Sequence, residues 1–251
     1  PDLVIGTGGY VTGTVLKTAI KCGIKTALHE SNSLPGVSVK MLAPKADLVM
    51  LGTEDAKKHL GECKKCVVTG NPLRNNIPIE EKSAARKRLG LPDCLTILSA
   101  GGSQGASRLN EAVVQLLAYE QKKGNINHIH GYGKHGRDTF MQSLEDNGVD
   151  AGNPHFIIKE YIDNMYTCMC ASDLIITRAG AMTLTEIMAI GRASVLIPYP
   201  YAAENHQYYN ALTLQNSNAG RIIDDKELTG SVLIDTVNRL ADDPELLRLM
   251  S

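Results

Sequence analysis

The stretch SAGGSQGASRLNEAV, residues 99–113, sets three glycines and Ser103 between two apolar segments. Before it runs CLTILSA; after it come Leu109, Ala112, Val113, Leu116 and Leu117 at helical spacing. A strand, a glycine-rich turn and a helix in this order offer unpaired backbone N–H groups to an anion. Gly101, Gly102 and Gly105 allow a tight bend and close approach to a ligand. A Walker A loop needs Gly-Lys-Ser/Thr where this chain has Gln-Gly-Ala. A nicotinamide-type turn wants an acid at the end of the next strand, and HIHGYGKHG offers none. A phosphate or diphosphate fits the turn, as does a plain strand–helix connection with no ligand. GTGGYVTG, residues 6–13, repeats the device with Gly8 and Gly9.

TRAGAMTLTEIMAIG, residues 177–191, follows the strand DLIIT and so sits at a sheet edge where such folds bind ligands. Ala181, Met182 and Thr183 open the helix and Glu186 follows on it. A carboxylate can accept from both hydroxyls of a ribose diol; it can equally be an ordinary exposed helix glutamate. PYPYAAENHQYYNA, residues 198–211, clusters Asn205, His206 and Gln207 at a helix start, amide and imidazole groups suited to sugar hydroxyls or to capping. HESNSLPG, residues 29–36, brings Asn32 to another strand–helix turn, with His29 and Glu30 readable as a structural pair. Asp224 and Asp225 read as a solvated loop. The sequence contains no HExxH, EF-hand loop or Asp-x-Asp, so nothing in it marks a metal site.

These segments need a scaffold, and the chain spells an alternating one. Strands are expected near residues 3–5, 24–31, 46–53 and 65–72, with helices between them, one over TEDAKKHLG. Residues 70–79, GNPLRNNIPI, read as a linker, and with only about three strands before it the first domain reads as incomplete. After a polar helix the rhythm restarts: strands at 95–99, 127–131, 155–159, 173–177 and 193–197, and helices at 104–122, 135–147, 163–170, 181–190 and 203–215. The expectation is an α/β protein of two Rossmann-like parallel sheets facing a cleft. Residues 1–70 would be the later part of one domain, 71–235 a second, and 236–251 the start of a C-terminal helix. The chain opens on strand residues without Met and stops inside an apparent helix, which suggests a fragment of a longer protein.

Composition narrows the partners. The 251 residues carry a net charge of -1, no Trp and two Phe, which argues against nucleic acid. No apolar run approaches the ~20 residues of a membrane span. Six cysteines, including the CxxC at Cys63 and Cys66, lack a second metal-spaced pair and read as reduced thiols. Residues 1–70 carry a balance of +3 and the remainder -4, which is either a solvated face or a surface for anionic lipid.

In order along the chain, GGYVTG, HESN, GNPLR, GGSQGA, EYID, TRAGAMTLTEI and ENHQYYNA resemble the peptidoglycan N-acetylglucosaminyltransferase (MurG) family over nearly the whole length. The resemblance implies the GT-B architecture and an inverting transfer of N-acetylglucosamine from UDP-GlcNAc to the C4 hydroxyl of undecaprenyl-diphosphate-linked MurNAc-pentapeptide (lipid I), giving lipid II. By it, Arg74 and Ser103 would contact the diphosphate and the Ile162 backbone would meet uracil. Ala181, Met182 and Thr183 would line phosphate and sugar, and Glu186 would bind the ribose. His206 and Gln207 would hold the sugar, with Asn32 on the acceptor side. It implies no tightly bound cofactor, no metal, and a peripheral position on the cytoplasmic face of the cell membrane. The family's first glycine loop, GGTGGH, whose histidine is the usual candidate for the acceptor hydroxyl, is not in this sequence, so the catalytic base is unassigned. A UDP-sugar transferase acting on diacylglycerol and a non-catalytic nucleotide-sugar-binding subunit are the alternative readings.

Overall fold

The computed structural model describes residues 1–75, 77 and 79–251; Asn76 and Pro78 of the expected linker lie outside the described residues. Two compact units emerge: Pro1–Leu73 with Ala179–Thr185 and Tyr199–Thr213, and Arg74–Arg178 with Glu186–Pro198 and Leu214–Ser251.

The first unit holds a parallel sheet of β1 (Leu3–Gly6), β2 (Lys25–Glu30), β3 (Leu48–Leu51) and β4 (Cys66–Val68), in that order. One strand answers each of the four segments expected, so four rather than about three precede the linker. Helices α1 (Gly9–Lys21) and α2 (Val37–Leu42) join the first three strands. Leu16, Leu28, Leu42, Val49 and Leu51 pack between helices and sheet. Over TEDAKKHLG the chain forms a 3-10 helix, Glu54–His59, rather than an α-helix. Only Ala56 is buried there, so no apolar face exists to hold a longer one.

In the second unit α3 (Lys82–Leu89) leads to β5 (Leu95–Ala100), α4 (Ser107–Lys123), β6 (Ile126–Gly131), α5 (Phe140–Asp146) and β7 (Phe156–Lys159). The chain continues through α6 (Met165–Ala171), β8 (Leu174–Thr177), α7 (Ala181–Ile190, whose first half through Thr185 belongs to the first unit), β9 (Ala193–Leu196), α8 (His206–Asn216, which belongs to the first unit through Thr213) and β10 (Gly220–Ile222). It ends in α9 (Gly230–Ala241) and α10 (Pro244–Leu249), so residues 236–251 span two helices. Residues 135–147 divide into a 3-10 turn, Lys134–Gly136, and α5. The sheet order is β10-β9-β8-β5-β6-β7, all parallel. Counted within the unit this is the 3-2-1-4-5-6 arrangement of dinucleotide-binding folds. Ile97, Leu109, Val113, Leu116, Leu174 and Val195 lie in its core.

A polar chain runs through this core. The Glu120 carboxylate accepts from His128 Nδ1 (2.7 Å), His128 Nε2 meets Ser99 Oγ (2.7 Å), and Ser99 Oγ meets His130 Nδ1 (2.7 Å). Burial, then the neighbouring His128, pushes the His130 imidazole down to about 3, against hydrogen bonding to Ser99. His130 is therefore neutral at physiological pH. All six cysteines are free thiols, and no helix among the described residues is long and apolar enough to cross a membrane.

Candidate functional site

In a 3-2-1-4-5-6 sheet the chain leaves the two central strands in opposite directions, and the crevice at their C-terminal ends is where ligands bind. Here those strands are β5 and β8, paired from Ile97–Leu174 to Ala100–Thr177. The Thr177 hydroxyl donates to the Ala100 carbonyl (2.9 Å), locking together the starts of loops 101–106 and 178–180. The first loop carries GGSQGA and the second RAG, so the two motifs met separately in the sequence leave neighbouring strand ends.

The glycines of the first loop are required by its path. Gly102 and Gly105 have φ of 89° and 85°. A side chain on Gly105 would strike the Tyr132 carbonyl. The turn closes with the Gly105 N–H on the Gly102 carbonyl (2.9 Å), and Gly101 passes Ala106 too closely for any Cβ. The His135 N–H donates to the Gln104 carbonyl (2.8 Å), and Asn110 Nδ2 to the Tyr132 carbonyl (2.9 Å), pinning the turn against the loop after β6. Ahead of α4 stands Ala106, which makes no side-chain cap. No side chain thus competes with a ligand for the first-turn amides. In the first unit α1 begins the same way, on Gly8 (φ 89°) and Gly9 (φ 81°), again without a side-chain cap.

Ser103 and Ile162 border one cavity of about 200 Å³, with Gly102, Gly131, Glu160 and Met165. Its lining is mostly apolar apart from Ser103 and Glu160. Glu160 is taken by Arg137 (2.8 and 2.6 Å), whose guanidinium holds the carboxyl below the usual range. Ile162 itself is 4% exposed, so what it offers a ligand is mainly backbone. Helix α7 carries Ala181, Met182 and Thr183 in its first turn and Glu186 in its second. Glu186 accepts a hydrogen bond from the Tyr166 hydroxyl of α6 at 2.7 Å. Glu186, then burial, pushes the Tyr166 phenol up, while the charge of Arg74 acts the other way. Arg74, exposed, therefore lies within electrostatic reach of Tyr166.

The remaining sequence candidates lie in the first unit. Asn210, 3% exposed, is its hub: Oδ1 accepts from the Ser33 N–H (2.8 Å), and Nδ2 donates to Asn32 Oδ1 (3.0 Å) and the Ala179 carbonyl (3.2 Å). Asn32 also donates its N–H and Nδ2 to Glu30 Oε1 (2.9 and 3.0 Å), and Gly36 N–H donates to the other Glu30 oxygen. His29 does not pair with Glu30; its Nε2 faces the Gly70 carbonyl (3.2 Å). Gln207 Oε1 accepts from the Tyr199 N–H (2.9 Å), which leaves its amide nitrogen for a ligand. His206 Nδ1 faces the Ala203 carbonyl (2.8 Å), just after Glu204 and Asn205 with φ of 50° and 56°. Non-glycine residues in that region carry strain of the kind that gathers at functional sites.

Sequence reasoning passed over Tyr166, Asn110 and Asn210, and misjudged Asp225. Asp225 is not solvated: it pairs with Arg178 (2.5 Å) at 13% exposure for both side chains. Arg178 also donates to the Ile197 carbonyl (3.2 Å), so loops 178–180, 197–198 and 224–225 are cross-braced. An arginine at a strand end followed by an acid two connections later was the one available signal.

Comparison with known proteins agrees with the two-sheet fold. The glycosyltransferase family 28 C-terminal domain matches residues 96–251 and its N-terminal domain residues 1–51. The UDP-N-acetylglucosamine--N-acetylmuramyl-(pentapeptide) pyrophosphoryl-undecaprenol N-acetylglucosamine transferase of Desulforamulus reducens is 40% identical over 100% of this chain and 68% of its own length. The enzyme of the same name from Desulfitobacterium hafniense is 42% identical, with the same coverage. The crystal structure of Acinetobacter baumannii MurG superposes with a TM-score of 0.77 at 30% identity, over 99% of this chain and 68% of that one. A UDP-GlcNAc 2-epimerase from Neisseria meningitidis, bound to UDP-GlcNAc, shares the fold at 14% identity and a TM-score of 0.64, over 100% of this chain and 71% of that one. With family matches to both domains and relatives of 40% and 42% identity across its whole length, the chain belongs to glycosyltransferase family 28, in the MurG branch.

Proposed function

We propose that the protein transfers N-acetylglucosamine from UDP-GlcNAc to lipid I, the undecaprenyl-diphosphate-linked MurNAc-pentapeptide, forming lipid II. The observation that carries this reading is the switch-point crevice of the second unit, where GGSQGA and the Tyr166–Glu186 pair occur in a chain of this family. In the reaction the acceptor's C4 oxygen attacks the anomeric carbon from the face opposite the diphosphate. The bond from that carbon to the diphosphate oxygen breaks with inversion, the hydroxyl proton passes to a base, and UDP departs.

The leaving diphosphate gains negative charge as that bond breaks. Preorganised donors aimed at such charge supply a large part of enzymatic rate enhancement. Three sources fit the role here: the uncapped start of α4, the Ser103 hydroxyl and the Arg74 guanidinium. The apolar cavity beside Ser103 suits a flat base read by the Ile162 backbone, as uracil would be. Glu186, half-buried, suits the ribose hydroxyls. Ala181, Met182 and Thr183 would face phosphate and sugar, the free amide end of Gln207 and His206 the N-acetylglucosamine, and Asn32 the acceptor. Gly8 and Gly9 would offer the uncapped start of α1 to a second diphosphate, that of the acceptor.

A peripheral position on the membrane is the reading for the first unit. Tyr10, Val11 and Val15 on α1, and Val37 and Met41 on α2, are 47–91% exposed. Lys17 and Lys21 stand on α1 beside them, a pairing of apolar and basic groups suited to anionic lipid, while Lys40 is held by Glu204 (3.2 Å).

The test is radiolabelled transfer by the full chain from UDP-GlcNAc to lipid I or to diacylglycerol. Label should pass to lipid I alone. Transfer to diacylglycerol would favour the glycolipid reading, and binding of UDP-GlcNAc with transfer to neither would favour a non-catalytic subunit.

A further inference from the structure

We infer that Tyr166 is the positioning residue of the ribose-binding carboxylate: its hydroxyl fixes the aim of Glu186, and so sets how strongly the protein prefers a ribonucleotide over its deoxy counterpart. The inference rests on the reading of Glu186 as the ribose ligand.

A glutamate alone is a poor reader of a diol. Its side chain has three rotatable bonds, and ordering it on binding costs affinity. A carboxylate gripped beforehand avoids that cost. Glu186 is gripped at one oxygen: Oε1 accepts from the Tyr166 hydroxyl at 2.7 Å, a charge-assisted length. Among the described residues no Lys, Arg or His pairs with Glu186, and no side chain donates to Oε2. Tyr166 is thus the group that holds it. The carboxylate has about four acceptor positions, so one taken by Tyr166 leaves both oxygens open to the 2′- and 3′-hydroxyls.

Both partners stand on anchored elements. On α6, Thr167, Cys168, Met169, Cys170 and Ala171 are buried, while Tyr166 is half-buried and turned to the site. On α7, Leu184 and Ile187 are buried on either side of half-buried Glu186. A hydrogen bond between two helices fixed by packing transmits position, which a bond from a loop would not. The phenol also stays protonated throughout the physiological range, because Glu186 raises its ionisation, so it remains a donor.

The test is competition against UDP-GlcNAc by UDP and by its 2′,3′-dideoxy analogue, with the full chain carrying Tyr166→Phe and, separately, Glu186→Ala. Tyr166→Phe should weaken UDP about three- to tenfold, the scale of one partly exposed hydrogen bond to a charged group. Binding of the dideoxy analogue should not change, so the ribose preference narrows; Tyr166→Leu should do the same. An equal loss for both nucleotides, or a loss for neither, would overturn the inference and assign Tyr166 to packing. If Glu186→Ala abolishes the preference while Tyr166→Phe keeps it, the Tyr166 inference alone fails. If Glu186→Ala also keeps it, the ribose reading itself is wrong.

Discussion

Glu186, Tyr166 and His130 show what single side chains can and cannot disclose. The His130 imidazole is depressed to about 3 by burial, against an ordinary value near 6.5. The unfolded chain therefore takes up a proton that the folded one refuses between those two values. The stabilisation is complete above about pH 6.5 and drains as the pH falls toward 3, by at most about 1.4 kcal/mol per pH unit. Urea unfolding across this range should show a steeper loss in the natural protein than in His130→Asn, which removes the titration; parallel profiles would contradict it. Glu186 was legible as a candidate because it follows TRAGA at a helix start, yet its spacing was equally that of a surface glutamate. Tyr166 carried no signal at all. It lies 20 residues from Glu186 with a strand between them, and only the folded sheet brings α6 beside α7.

At the scale of elements the sequence spoke clearly where burial is one-sided. The apolar runs of β5, β8 and β9 and the helical spacing of α4 announced themselves, because a strand buried on both faces and an amphipathic helix leave different periodicities. TEDAKKHLG misled because its composition favours helix while its single buried residue, Ala56, gives a helix nothing to pack. Asp225 misled because its partner Arg178 comes 47 residues earlier. The GGSQGA loop is where element geometry bears most on the proposed site. Gly105→Ala would place a methyl at φ 85° against the Tyr132 carbonyl. We expect it to cost about 1–3 kcal/mol of stability and to reduce UDP-GlcNAc affinity by far more than the parallel change at exposed Gly61, where a Cβ meets nothing within 4 Å. Thermal melting and calorimetry on both variants measure this, and equal affinities would remove the loop from the site.

For the whole molecule, alternating strands and helices pointed to parallel sheets, but strand order is not written in any local pattern. The order β10-β9-β8-β5-β6-β7 arises from long-range pairing, and it is what sets the loops after β5 and β8 side by side. The ordered set of motifs and the family matches place this crevice in a glycosyltransferase family 28 chain, which is why we propose a nucleotide-sugar there. If exposed Tyr10, Val11, Val37 and Met41 meet lipid, the chain should sediment with vesicles rich in anionic lipid and release as salt rises; salt-independent binding, or none, would contradict that surface. The central claim is that the second unit holds UDP-GlcNAc with Glu186 on the ribose. Calorimetric titration of the folded chain and of Glu186→Ala with UDP-GlcNAc and UDP-galactose tests it most directly. The account requires saturable one-to-one binding that favours UDP-GlcNAc and weakens on the order of tenfold or more in the variant, since a carboxylate to hydroxyl pair is lost. Equal affinity in a folded Glu186→Ala variant, or no saturable binding by the natural chain, would contradict it.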